Sequence, residues 1–84
     1  MKQDNYAEIK LEDLYDRELT GKQITFFMKK NNVTVRQLAE QLGISPTTLI
    51  RIRTGKQNIS LTLILKLSQI LEIPPNEFLI MNKH

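Results

Sequence analysis

Hydrophobic residues recur at three- and four-residue spacing from residue 20 onward, and this pattern predicts five helices. The first helix is expected to begin at Thr20 or Gly21 and to stop at Asn31 and Asn32. Its apolar face consists of Ile24, Phe27 and Met28. No strand-like alternation, internal repeat or low-complexity tract competes with the helical pattern after residue 19.

The second and third helices have clear start and stop signals. Thr34 is a cap for the second helix, which is expected to end at Gly43, a residue that accepts a positive φ at little cost. Ser45 is a cap for the third helix, and Pro46 stands at its first position, where a missing N–H is harmless. The third helix is expected to end at Gly55.

The fourth helix is predicted after Ser60 and is apolar around most of its circumference. Its apolar residues are Leu61, Leu63, Ile64, Leu65, Leu67, Ile70 and Leu71. A helix of this kind belongs in the core or supports an interface. Pro74 and Pro75 separate it from a short fifth helix predicted over residues 76–81.

Residues 1–19 form a separate N-terminal acidic arm in this interpretation, and residues 20–84 form the main domain. Two patterns compete within the arm. The helical face would contain Tyr6, Ile9, Leu14 and Leu19, whereas Ile9 and Leu11 also alternate as in a strand. The structure of the arm therefore stays open.

The chain has 84 residues, of which 40% are hydrophobic, enough for one compact domain with one core. It has no cysteine, and its only histidine is the terminal His84. We therefore expect no metal, no cofactor and no enzymatic activity. No apolar run is long enough to span a membrane, and no signal peptide is visible, so we expect a cytoplasmic protein without membrane contact.

Charge is distributed unevenly along the chain. In residues 1–19 acidic residues outnumber basic ones by six to three, whereas in residues 20–84 basic residues outnumber acidic ones by nine to three. No acidic residue occurs between Glu40 and Glu72. A basic segment without acids suits a polyanion, although a solvated basic face is the alternative.

Residues 35–54 meet the steric demands of two helices joined through a tight turn. A small residue must lie where the helices approach, a glycine must form the turn, and apolar residues must hold the pair together. These seven positions are Leu38, Ala39, Leu42, Gly43, Ile44, Leu49 and Ile52. All seven occur in register, which indicates a helix-turn-helix.

The segments LAEQLGIS and LIRIRTGK resemble the Cro and phage-repressor type of helix-turn-helix domain, and the resemblance extends over residues 21–79. It implies an all-α fold, a five-helix phage-repressor-like bundle, here preceded by the N-terminal arm. It also implies that the third helix lies in the DNA major groove and that the protein acts as a homodimer on a near-palindromic site.

The third helix has a predictable reading face. Because Leu49 and Ile52 face the core, a rotation of about 100° per residue turns the opposite side outward. The expected base-contacting residues are Pro46, Thr47, Ile50 and Arg51. Arg51 suits guanine, Thr47 suits a base or a phosphate, and Ile50 suits a thymine methyl group. Packing at the edge of the core is the alternative for Ile50.

Phosphate contacts are expected around this helix, from its cap, from the loop after it and from the start of the second helix. The expected residues are Arg36, Gln37, Ser45, Arg53, Lys56, Gln57 and Asn58.

Three departures from the family pattern affect these expectations. Val35 stands where a phosphate-clamping glutamine is common. Met28 and Arg53 replace a frequent ion pair, which leaves Arg53 free for DNA. Leu63 and Ile70 add apolar surface to the fourth helix, which suggests contact with a second subunit or with the arm.

These observations favour a transcriptional regulator, with repression as the expected role, that binds double-stranded DNA as a homodimer. The alternative is a protein-interaction module with the same fold, such as an antitoxin or an anti-regulator. The arm, with Tyr6 and Tyr15, is the candidate docking element for a protein partner. Against this alternative, the outward face of the third helix carries no acidic residue.

Overall fold

The computed structural model describes residues 14–82 of the chain. Its elements are α1 (Arg17–Lys30), α2 (Val35–Leu42), α3 (Pro46–Arg53), α4 (Leu61–Leu71) and a short 3-10 helix (Pro75–Glu77). Within residues 14–82 there is no β-strand, only an isolated bridge between Tyr15 and Met81. No helix in this part of the chain is both long and apolar enough to cross a membrane.

Side-chain caps determine where the four α-helices begin. Thr34, Ser45 and Ser60 cap α2, α3 and α4, as predicted. The predicted start of α1 is wrong, because α1 begins at Arg17, earlier than residue 20. Asp16 is its cap, with a side-chain oxygen that accepts a hydrogen bond from the Leu19 amide at 2.9 Å.

The helix-turn-helix is confirmed in α2, the turn and α3. Gly43 ends α2 with φ 75°, and the Ile44 amide closes the turn on the Ala39 carbonyl at 3.0 Å. Ala39 is buried where α2 and α3 pack together. Of the remaining motif positions, Leu38, Leu42, Leu49 and Ile52 are buried and Ile44 is half-buried. α3 ends at Arg53, two residues before the predicted Gly55.

One hydrophobic core joins the helices. α3 packs against α1 and α2, and α4 packs against α2 and the 3-10 helix. The largest fully buried apolar side chains in the described residues are Phe78, Ile24, Leu38, Leu42, Leu49 and Leu67. α3 thus lies on two other helices, and its outer side is exposed.

The prediction of a fifth helix over residues 76–81 is wrong. Only the three residues Pro75–Glu77 are helical, and in a 3-10 turn. The following backbone pairs with residues 14–16: the Asp16 amide donates to the Ile80 carbonyl, and the Asn82 amide donates to the Leu14 carbonyl. These long-range bonds require an extended backbone, which a continued helix would not provide.

Residues 14–19 pack with the body of the domain. The division predicted between residues 19 and 20 falls within α1, and Tyr15, only 3% exposed, belongs to the core. The patterns predicted for Tyr6, Ile9 and Leu11 lie outside the described residues.

The apolar residues of α4 divide into three groups. Ile64, Leu67 and Leu71 are buried, and Leu63 and Ile70 are half-buried against the core. The exposed pair consists of Leu61, 64% exposed, and Leu65, 55% exposed. The free apolar surface of α4 is therefore this pair and not Leu63 with Ile70.

Gly21 is the point at which α1 meets the end of α3. A Cβ atom at this position would lie 3.0 Å from the Ile52 carbonyl oxygen and closer still to the carbonyl group of Arg53. Because those atoms belong to the backbone, no side-chain rearrangement relieves the overlap. Gly21 thus allows two helix backbones to touch.

Gly21→Ala is therefore expected to destabilise the protein by about 1–3 kcal/mol, as overpacking does in a close-packed interior. The same substitution in an ordinary helix interior would stabilise it by about 0.5–1 kcal/mol. Thermal unfolding of Gly21→Ala, with Lys22→Ala at the next, exposed position as control, distinguishes the two. A melting temperature equal to or above that of the parent would contradict the close contact.

Candidate nucleic-acid interface

The outer side of α3 carries all four residues expected to contact bases. Pro46, Thr47, Ile50 and Arg51 are exposed, opposite the buried core side of the helix. Ile50 is 48% exposed, so about half of its surface is accessible to a ligand. The four residues form a continuous surface, and their contact with bases stays a prediction.

Arg51 is held by the loop that follows α3. Its Nε donates to Oε1 of Gln57 at 3.2 Å. The loop turns back at Gly55, where φ is 76°, and the Lys56 amide donates to the Arg51 carbonyl at 2.8 Å. The loop therefore brings Gln57 beside a residue six positions earlier in the chain.

Two of the expected phosphate ligands also serve as helix caps. Ser45 Oγ accepts from the Thr48 amide and donates to the Thr48 hydroxyl, at 3.1 and 2.9 Å. Gln37 completes a capping box, in which its Oε1 accepts from the Thr34 amide at 3.0 Å. The amide group of Gln37 keeps its two N–H donors for other contacts, whereas the Ser45 hydroxyl proton is used within the helix.

The expectation that Arg53 is free is wrong. This side chain is half-buried, and its Nε donates to Thr25 Oγ1 at 2.9 Å. Thr25 in turn donates to the Gly21 carbonyl at 2.9 Å. Met28, which stands where the family often has the ion-pair partner of residue 53, is buried in the core. Arg53 therefore links α3 to α1, and only its terminal nitrogens remain for an anion.

The loop between α3 and α4 is fixed by a residue that the sequence analysis did not assign to the site. The Tyr15 hydroxyl accepts from the Ile59 amide at 2.9 Å and donates to Asn58 Oδ1 at 3.4 Å. Sequence spacing gives no sign of this contact, because more than 40 residues separate its partners. Tyr15 thus sets the position of the predicted phosphate ligand Asn58.

Lys66 is another basic residue with a local role. Its Nζ donates to the Leu42 carbonyl at 3.3 Å, at the end of α2 and beside the Gly43 turn. A cation stabilises this end of a helix, where carbonyl groups have no intrahelical partner. Arg36 and Lys56 are exposed on either side of α3 in sequence, as phosphate ligands require.

The described residues contain no cluster of three His, Asp or Glu side chains that could hold a metal ion. Their buried side-chain polar atoms all have hydrogen-bond partners. The polar groups available for a ligand in this part of the chain therefore lie on the surface.

Comparison with known proteins agrees with the helix-turn-helix formed by α2 and α3. A helix-turn-helix family profile matches residues 27–78, which include α2, α3 and α4. No curated protein matches the chain.

Several solved structures are similar. The restriction-modification controller protein C.AhdI from Aeromonas hydrophila is 27% identical, with a TM-score of 0.71 over 75% of this chain and 96% of that one. The clp gene regulator ClgR from Corynebacterium glutamicum is 29% identical, with a TM-score of 0.68 over 70% of this chain and 63% of that one. The master regulator for biofilm formation SinR, solved in complex with DNA, is 25% identical, with a TM-score of 0.65 over 70% of this chain and 95% of that one.

Removal of the Tyr15 hydroxyl tests its role in the loop. Tyr15→Phe leaves the buried Ile59 amide without its acceptor, and we expect a loss of about 1–3 kcal/mol in unfolding free energy. Asn58→Ala, which keeps that bond at an exposed position, is the matched control and should lose less. Urea unfolding measures both, and equal stability of Tyr15→Phe and the parent would rule out the contact.

Proposed function

The chain belongs to the Cro/C1-type helix-turn-helix family, and from this premise we propose that it is a sequence-specific transcriptional regulator that binds double-stranded DNA. In this proposal α3 enters the major groove and reads base edges, and the protein acts as a repressor. The similar proteins include regulators, and one of them was solved with DNA bound.

The observation that carries the proposal is the chemistry of the exposed face of α3. Thr47, Ile50 and Arg51 project from a helix of eight residues, and no acidic residue occurs in the segment from Gln41 to Leu71. An exposed apolar and cationic face matches the acceptors and methyl groups of the major groove. A carboxylate at this face would repel phosphate.

Each exposed side chain has a suitable counterpart on DNA. Arg51 offers two terminal amino groups to O6 and N7 of one guanine. Ile50 offers methyl groups to the C5 methyl of thymine, and Thr47 offers a hydroxyl to a base or a phosphate. Pro46, at the start of α3, would approach the groove edge, where N-terminal residues of recognition helices lie.

Backbone contacts would orient α3 in the groove. Arg36 and the amide group of Gln37 are exposed at the start of α2, the helix that crosses the DNA backbone in this motif. Lys56, the Asn58 amide and the terminal nitrogens of Arg53 are available on the other side. The Ser45 hydroxyl contributes least, because its proton is used by Thr48.

We propose that two copies bind together through α4. Leu61 and Leu65 lie one turn apart and are more than half exposed, so a second copy would remove apolar surface from water. A two-fold dimer places its recognition helices about 34 Å apart, one helical turn of DNA. Occupation of such a site would repress transcription where the site overlaps a promoter, because it excludes other proteins from the same segment.

Substitution of one base ligand and one phosphate ligand tests the proposed reading face. Arg51→Ala is expected to lose about 1–3 kcal/mol of binding free energy on the preferred site and to relax the sequence preference at one base pair. Lys56→Ala should weaken binding to all sequences alike. It should also reduce by about one the slope of the logarithm of the binding constant against the logarithm of the salt concentration. The measurement is selection of bound duplexes from a random pool, followed by titration at several salt concentrations.

Unchanged affinity and unchanged site preference in Arg51→Ala would show that α3 does not read bases through this face. Failure of the parent protein to retain any duplex would instead favour the protein-interaction module.

The proposed dimer has its own test. Leu65→Lys places a charge in the α4 surface, so we expect a shift from dimer to monomer in sedimentation velocity and a footprint of half the length. Phe26→Lys, which makes the same change at a similarly exposed residue of α1, should leave both unchanged. A parent that sediments as a monomer, or loss of the dimer only in Phe26→Lys, would contradict the α4 interface.

A further inference from the structure

We propose that Gln57 is a specificity-determining residue that orients Arg51 for guanine recognition. The proposal rests on the DNA-binding function proposed above and assigns a role to a residue that sequence analysis predicted only as a phosphate ligand. Its basis is the hydrogen bond from Arg51 Nε to Gln57 Oε1, which joins α3 to the loop after it.

The hydrogen bond uses the one guanidinium nitrogen that end-on recognition of guanine does not need. Arg51 Nε lies 3.2 Å from Gln57 Oε1, and the two terminal amino groups lie farther out along the side chain. Guanine presents O6 and N7 as a pair of acceptors in the major groove. A guanidinium held at Nε therefore presents both terminal donors together, in the plane that bidentate pairing requires.

Arg51 would otherwise be a long, exposed side chain with many rotamers. Ordering such a side chain on DNA opposes binding, and several of its rotamers would reach a neighbouring phosphate and not a base. A fixed acceptor reduces this loss, since the side chain is already ordered in the free protein. Gln57 would thus act on the choice between bases more than on the attraction to DNA as a whole.

The position of Gln57 does not depend on DNA. At one end of the loop, Gly55 adopts φ 76° and the Lys56 amide donates to the Arg51 carbonyl at 2.8 Å. At the other end, Tyr15 binds Asn58 and the Ile59 amide. Gln57 lies between these two attachments and is itself half-buried. Its carbonyl oxygen is therefore held by the fold of the domain.

A role as phosphate ligand and a role in orienting Arg51 use different atoms of Gln57. Phosphate requires the Nε2 amide donor, whereas Arg51 requires the Oε1 acceptor. Glutamate keeps an acceptor oxygen but removes the donor and adds a charge. Methionine keeps the length of the side chain and removes both strong hydrogen-bonding groups. The two substitutions therefore separate the roles.

The experiment begins with the full chain and a random duplex pool, to find the guanine whose preference disappears in Arg51→Ala. Binding is then titrated on the selected duplex and on the same duplex with that guanine–cytosine pair replaced by adenine–thymine. The ratio of the two dissociation constants measures discrimination. The variants are Gln57→Met and Gln57→Glu, with Gln41→Met as a control on the exposed surface of α2.

We expect discrimination to fall about fivefold or more in Gln57→Met, a part of the range that one bidentate pair provides. Gln57→Glu should keep the discrimination of the parent while it binds both duplexes more weakly, because a carboxylate lies near phosphates. Gln41→Met should match the parent. In Arg51→Ala the further change Gln57→Met should have no effect on discrimination, since the residue to be oriented is gone.

Parental discrimination in Gln57→Met, or equal weakening on both duplexes, would overturn the proposal and leave Gln57 as a phosphate ligand only. The same holds if Gln57→Met lowers discrimination equally with and without Arg51. These results differ from failure of the proposed function, in which the parent chain itself selects no sequence from the pool.

Discussion

The direct contact between the backbones of α1 and α3 fixes the position of α3, and the proposed DNA-contacting surface is built on that junction. α3 has eight residues and buries only Leu49 and Ile52, which is too little to hold a helix by itself. Gly21 lets α1 reach the carbonyl groups at the end of α3, and the Arg53–Thr25 hydrogen bond closes the same junction. With α2 on the other side, α3 has both its position and its rotation fixed while its outer face stays exposed.

The loop after α3 is also held in place by a contact from another part of the chain. Tyr15 reaches this loop from the residues before α1, so a segment outside the family match of residues 27–78 supports the predicted DNA-contacting surface. The loop in turn places Gln57 beside Arg51. Binding residues are often carried by loops on a rigid scaffold, and here the scaffold includes the paired ends of the described chain, Tyr15 and Met81.

Local signals in the sequence were enough to predict the helix-turn-helix. The caps Thr34 and Ser45 and the turn at Gly43 involve contacts over only three or four residues. The helix boundaries that they set can therefore be predicted without knowledge of the tertiary structure. Long-range contacts were not predictable in this way. Residues 80–82 pair with residues 14–16 instead of forming the predicted fifth helix. The role of Tyr15 likewise depends on a partner more than 40 positions away in the sequence. The exposed face of α3 could be predicted, because two buried positions fix the orientation of so short a helix.

Methylation interference on a selected duplex tests whether α3 binds DNA from the major groove. Dimethyl sulfate methylates guanine at N7 in the major groove and adenine at N3 in the minor groove. If α3 lies in the major groove, N7 methylation of one guanine in each half-site excludes the duplex from the bound fraction, whereas N3 methylation of adenines has no effect there. Interference confined to adenine N3 would place the protein in the minor groove and rule out major-groove binding by α3.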